Sequence, residues 1–83
     1  MKIHLFIDLG SGRSGIEARS PELKLTSHGV DEQDAIKSLQ RGIVAWGESL
    51  NTLDILTETL KRQQLKFEPN GQSIVVELEK RSN

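Results

Sequence analysis

The hydrophobic pattern changes its period once, at Gly29-Val30-Asp31, and this change constrains the fold more than any other feature. Before it, apolar residues alternate with polar ones, which is typical of half-buried strands. After it, apolar residues recur every three and four positions, as they do on one face of a helix. Strands followed by helices predict an α+β domain, with the helices on one face of a largely antiparallel sheet.

Three strands are predicted before the change of period. In residues 2–9, one face carries Ile3, Leu5, Ile7 and Leu9, and the other carries His4, Phe6 and Asp8. Three glycines within residues 10–15 predict a hairpin loop, because glycine reaches positive φ without steric cost. Alternation resumes over residues 15–20, and Pro21 marks a strand boundary. Leu23, Leu25 and Ser27 continue the pattern, so we expect a three-stranded antiparallel meander.

Two helices and a final strand follow. Asp31 is the predicted N-cap of the first helix. Its apolar stripe consists of Ala35, Leu39, Ile43, Trp46 and Leu50. Asn51 or Thr52 is expected to cap a shorter helix with a stripe of Leu53, Leu56 and Leu60. A turn at residues 69–71 precedes a strand over residues 73–79. The predicted order is βββααβ.

Length and composition limit the classes of protein to which this chain can belong. The 83 residues have room for a single domain, residues 1–83, and a domain this small gains from oligomerisation. Without cysteine there are no disulfides or thiolate metal sites. No apolar run is long enough to span a membrane, and no signal peptide is predicted, so we expect a cytoplasmic protein. A net charge of −1 argues against non-specific nucleic-acid binding as the main activity.

The sequence predicts no catalytic, cofactor or metal site. His4 and His28 would need two further ligands for zinc, and we expect ordinary surface or edge histidines. The glycine-rich loop leads into a strand, whereas a phosphate-binding loop opens a helix. The carboxylates near the sheet, Asp8, Glu17, Asp31 and Glu32, give no converging set for a two-metal site. We therefore expect the chain not to be an enzyme.

Four residues are predicted to bind a partner. Phe6 lies opposite the core face of the first strand and should point outward, where an aromatic side chain marks a contact surface. Val75 shares the polar face of the last strand and extends that surface. Arg13 lies at the hairpin tip. Trp46 belongs to the helical stripe, so core packing is its default role and an interface anchor the alternative.

Over residues 2–50 the chain resembles the HicB family, the antitoxins of HicA–HicB toxin–antitoxin modules. The resemblance rests on Gly15-Ile16-Glu17-Ala18 in the second strand, on Pro21-Glu22-Leu23 at the family's Pro-Asp-Leu, and on the segment from Gly29 to Ala35. Lys24-Leu25-Thr26 replaces the usual Pro-Gly-Cys, and Ile16 replaces a common aromatic residue.

The resemblance implies a partial ribonuclease-H-like α+β fold without a working active site. It also implies binding and neutralisation of a small, basic, RNA-cleaving HicA-like toxin, and association into homo-oligomers. The DNA-binding segment that often follows this domain in the family has no counterpart in the sequence, so direct DNA binding is not expected.

Two alternative functions remain open at the level of sequence. One is a small RNA-binding or metal-dependent nuclease domain that uses Lys24, Lys37 and Arg41 as phosphate contacts, whose RNA affinity would fall steeply with salt. The other is an oligomerising module without a ligand.

Overall fold

The computed structural model describes residues 1–13, 15–69 and 73–81 and shows an α+β domain. Its elements are β1 (Lys2–Gly12), β2 (Gly15–Ser20), β3 (Leu25–Gly29), α1 (Glu32–Thr52), α2 (Leu56–Arg62), β4 (Lys66–Glu68) and β5 (Val75–Lys80). The predicted architecture of three antiparallel strands, two helices and a final strand is confirmed. The short strand β4 is an addition that the sequence pattern did not predict. Part of the predicted 69–71 turn lies outside the described residues.

Strand β1 is the centre of the five-stranded sheet. Its first residues, Lys2 to His4, pair antiparallel with β4 and also parallel with β5, so these two strands flank them on both edges. Its second half pairs with β2, and β3 continues the sheet beyond β2. The ladder with β2 runs as far as Gly12 opposite Gly15. The predicted loop at residues 10–15 was therefore too long, because Gly10 to Gly12 extend the strand.

The core lies between one face of the sheet and the two helices. Ile3, Leu5 and Ile7 of β1 are buried, as the alternation predicts. Their partners in the core include Ala35, Leu39 and Ile43 of α1, Leu56 and Leu60 of α2, and Val76 of β5. Trp46 and Leu50 are partly buried against this cluster. Both helices therefore cover the same face of the sheet.

The first turn of α1 has the predicted cap. The Asp31 side chain accepts a hydrogen bond from the backbone N–H of Asp34 at 2.8 Å. The Asp31 carbonyl accepts the first intrahelical bond, from the N–H of Ala35 at 3.0 Å. Glu32 and Asp34 place negative charge at the positive end of the helix dipole, which stabilises this end. The change of period in the sequence is thus a real helix start.

The end of α1 differs from the prediction. Asn51 and Thr52 belong to its last turn, and α2 begins after Ile55 without a side-chain cap. Leu53 is 66% exposed and lies outside the apolar stripe of α2. Asp54, at φ 61°, occupies the left-handed position that closes α1, and the N–H of Ile55 bonds to the carbonyl of Leu50 at 3.0 Å.

Two glycines of α1 have different surroundings, and this difference gives a prediction. Gly47 is buried, and a Cβ there would lie 3.3 Å from Cδ1 of Ile74, whereas a Cβ on Gly42 meets open space. Gly42→Ala should raise the free energy of unfolding by about 0.5–1 kcal/mol, because alanine is the better helix former. Gly47→Ala should gain less, since Ile74 must move. Urea denaturation measures both, and equal gains would contradict the assigned packing of Gly47.

Candidate interaction surface

The sheet has a face opposite the helices, which we call the open face. Because side chains alternate along a strand, it carries the β1 residues that do not enter the core and their neighbours in register. They are Lys2, His4, Phe6 and Asp8 of β1, Glu17 and Arg19 of β2, Lys66 and Glu68 of β4, and Val75, Glu77 and Glu79 of β5. The surface is predominantly charged, with both signs interspersed.

Phe6 and Val75 are the two large apolar side chains of the open face. Phe6 is 46% exposed and Val75 is 47% exposed, so the expected outward orientation of both is confirmed. Val75 lies opposite Lys2, and Phe6 lies opposite Glu79, four residues further along β1. At 3.3 Å per residue the two side chains are separated by about 13 Å along the strand. Their role in binding a partner stays a prediction.

His4 links three strands across the open face. Its Nε2 lies 2.7 Å from Oε2 of Glu68 on β4, and its Nδ1 lies 3.6 Å from Oε2 of Glu77 on β5. Lys2 also pairs with Glu77, at 3.6 Å. His4 therefore lies at the surface, on the polar face of the central strand, as expected. These contacts tie β4 and β5 to the start of β1.

The bond between His4 and Glu68 predicts a pH dependence. The hydrogen bond from His4 lowers the pKa of Glu68 from its ordinary value, and the charges of His4, Lys2 and Lys66 act in the same direction. Because the pKa is lower in the folded state, this stabilisation is present above the ordinary glutamate value, about 4.3, and is lost as the pH falls through the folded pKa.

The variant Glu68→Gln should reveal this dependence. It should be less stable than wild type at about pH 6, and the difference in unfolding free energy should shrink toward about pH 3, where the wild-type carboxylate is protonated. Urea unfolding across this range measures the difference. A difference that does not change with pH would contradict a stabilising contact between Glu68 and His4.

The other carboxylates considered in the sequence serve separate structural contacts. Asp8 pairs with Arg81 at 2.6 Å, Glu17 with His28 at 3.0 Å, and Glu32 with Lys80 at 3.0 Å. Asp31 caps α1. Within residues 1–13, 15–69 and 73–81 there is no group of three or more His, Asp or Glu side chains that could hold a metal ion.

The contact between Glu22 and Phe6 was not predicted from the sequence. Its Oε2 accepts a hydrogen bond from the backbone N–H of Phe6 at 3.2 Å. On β1, the pairing with β4 ends at His4 and the pairing with β2 starts at Asp8. The Glu22 carboxylate therefore accepts the N–H of Phe6 in the gap that these two strands leave along β1. Its Oε1 is buried and has no hydrogen-bond partner among the described residues. A cavity of about 730 Å³ adjoins Phe6 and Glu22.

The remaining predicted contact residues lie in different places. Arg13 is exposed in the turn that follows β1, as expected. Trp46 is half-buried in the helical layer and packs against the core, so the structure does not bring it together with Phe6 and Val75. Lys37 and Arg41 line one groove beside α1, and Lys24 lies in the turn between β2 and β3.

The outer edge of β5 forms a second feature. Within the described sheet, β5 pairs with β1 alone. The N–H groups of Val75 and Arg81 bond to the carbonyls of Met1 and Ile7. The backbone groups of the intervening even-numbered residues, Val76, Leu78 and Lys80, therefore point away from β1. The side-chain amide of Gln40 donates to the carbonyl of Val76 at 3.2 Å. A groove of about 550 Å³, the β5 groove, lies between α1 and the start of this edge, at Ile74 to Val76.

Comparisons with known proteins identified no related protein. No protein-family model, curated protein or solved structure matches this chain. None of the helices in the described part of the chain is both long enough and apolar enough to cross a bilayer. The open face and the β5 edge are the features of this structure that bear on its function.

Proposed function

We propose that this chain is a non-catalytic protein–protein interaction domain that binds its partner through the open face, as a cytoplasmic relative of the HicB antitoxins. The observation that carries the proposal is the exposure of Phe6 and Val75 on a sheet face that the two helices leave uncovered. Large apolar side chains on a charged surface lower the free energy of a complex when a partner removes them from water.

The surroundings of Phe6 fit an interface. Aromatic side chains in the middle of a contact supply much of its binding energy, and charged groups at the rim fix its orientation. Phe6 lies on the central strand and is neighboured in register by Glu79. Ion pairs beside it join Lys2, His4, Glu68 and Glu77, so charged groups of both signs adjoin the aromatic side chain.

The HicB resemblance gives the kind of partner. It implies a small, basic, RNA-cleaving toxin, and it implies homo-oligomers. One matching element has a clear physical role, because Gly29 packs directly against the backbone of Ala35 at the start of α1. The spacing from glycine to alanine in the resembling segment is therefore the spacing that this contact requires.

Substitution of Phe6 tests the proposal. Phe6→Asp should weaken self-association or partner binding at least about thirty-fold, which corresponds to the loss of a hot-spot aromatic side chain, while far-UV circular dichroism stays that of the folded chain. Val30→Asp is the matched control, because Val30 is 83% exposed in the segment that follows β3, and β2 separates β3 from the strand that carries Phe6. Sedimentation equilibrium measures association, and equal association of both variants would contradict the assignment of Phe6.

A further inference from the structure

We propose that the β5 groove binds an extended segment of a partner protein, which adds to β5 as a sixth strand and presents basic side chains on the open face. The inference deepens the proposed function, because it needs a protein partner, but it concerns an edge that Phe6 does not form. It assigns the binding mode and the chemistry of the bound segment.

The backbone of β5 supplies the hydrogen bonds. An added strand is held chiefly by the unpaired N–H and C=O groups of the edge that it joins. The N–H groups of Val76, Leu78 and Lys80 and the carbonyls of Leu78 and Lys80 point away from β1, at alternate positions over the six residues of β5. The side-chain amide of Gln40 already occupies the Val76 carbonyl, so an added strand would pair with the N–H of Val76 and with the backbone groups further along β5.

The groove provides a site for side chains on the helical side of the added strand. Its lining includes the apolar side chains of Val44 and Ile74, together with Lys37 and Arg41 of α1. Side chains of an added strand alternate between the two faces of the sheet. Those on the helical side would therefore enter the groove, where apolar residues are the best fit for Val44 and Ile74.

The open face determines the charge of the other side chains. Glu77 and Glu79 lie there on β5, and side chains of the next strand on that face would be their direct neighbours. Glu77 already pairs with Lys2 and His4, whereas no ion pair of the described residues includes Glu79. A basic residue beside Glu79 is therefore favoured.

A second copy of this chain is a poorer occupant of the same edge. If two copies paired through β5, Glu77 and Glu79 of both strands would share one face of the continuous sheet. Like charges on neighbouring strands destabilise the pairing. The charge of β5 consequently favours a different chain, with alternating apolar and basic residues, over self-pairing.

Two capped hexapeptides test the inference, one alternating valine with lysine and one alternating valine with glutamate. With unmutated protein, the lysine peptide should bind saturably. At saturation it should slow amide hydrogen exchange at least about tenfold at Val76, Leu78 and Lys80, because those N–H groups gain partners. Absence of binding, or binding without protection of these amides, overturns the proposal.

A charge reversal tests the recognition of basic residues. Glu79→Lys should weaken the lysine peptide about fivefold and strengthen the glutamate peptide, since a favourable cross-strand pair becomes unfavourable. Glu58→Lys, which changes the same charge on α2, should leave both affinities unchanged. Equal effects of the two variants overturn the charge assignment. If neither hexapeptide binds while Phe6→Asp still weakens association, strand addition to β5 is rejected and the proposed function stands.

Discussion

Replacement of Gly29 by alanine should lower the free energy of unfolding by at least about 3 kcal/mol. A Cβ at this position would overlap the backbone nitrogen of Ala35, and it would lie 2.7 Å from the carbonyl carbon of Asp34 and 2.9 Å from Cα of Ala35. Real Cβ atoms do not approach other atoms so closely. The obstacle is helix backbone fixed by the Asp31 cap, so it cannot move aside as a flexible side chain would.

A matched glycine makes this result interpretable. Gly10→Ala places its Cβ in open space, and it should change the stability by no more than about 0.5 kcal/mol. Urea denaturation followed by far-UV circular dichroism measures both variants. If Gly29→Ala unfolds within about 1 kcal/mol of wild type, the close contact between β3 and α1 is wrong.

Leu39→Ala should produce the second large effect, a loss of about 2–5 kcal/mol. Leu39 is 1% exposed on the face of α1 that enters the core, so truncation removes buried apolar surface and leaves a cavity. Leu53→Ala deletes the same atoms from a side chain that is 66% exposed, and it should cost less than about 0.5 kcal/mol. Urea denaturation of the two variants measures both losses of unfolding free energy. Similar losses would contradict the placement of Leu39 in the core.

The elements that depend on local pattern were predictable from the sequence. Alternation along β1 is local information, and it correctly placed Ile3, Leu5 and Ile7 in the core. The cap of α1 was predictable because a short polar side chain at Asp31 precedes acidic residues and an apolar stripe. The same alternation placed Phe6 and Val75 on the exposed face.

The elements that depend on distant contacts were not predictable in the same way. β4 has three residues, too few for a periodic pattern, and it exists because it pairs with the start of β1. The parallel pairing of β5 with β1 joins residues more than seventy positions apart. Both helices close through non-glycine residues in the left-handed region, Asp54 and Gln64, so the usual glycine that marks a helix end is missing.

The candidate site was predictable only in part for the same reason. The side-chain direction of Phe6 follows from strand period, but the carboxylate of Glu22 reaches Phe6 from sixteen residues away. The β5 groove is lined by residues of α1 and of the last strand. The outer edge of β5 is free because β5 pairs with β1 alone within the described sheet. Trp46 carried an ambiguous signal, and its packing in the helical layer separates it from the open face.

Affinity capture from the lysate of the source cell tests whether the chain binds a partner through the open face. Tagged wild type, Phe6→Asp and Val30→Asp should be used side by side, with quantitative mass spectrometry of the eluted proteins. We expect one small basic protein in stoichiometric amount with wild type and Val30→Asp. This protein should be depleted with Phe6→Asp, and it should cleave RNA once separated. Recovery of the same proteins by all three baits, or of none above a tag-only control, would contradict partner binding through the open face.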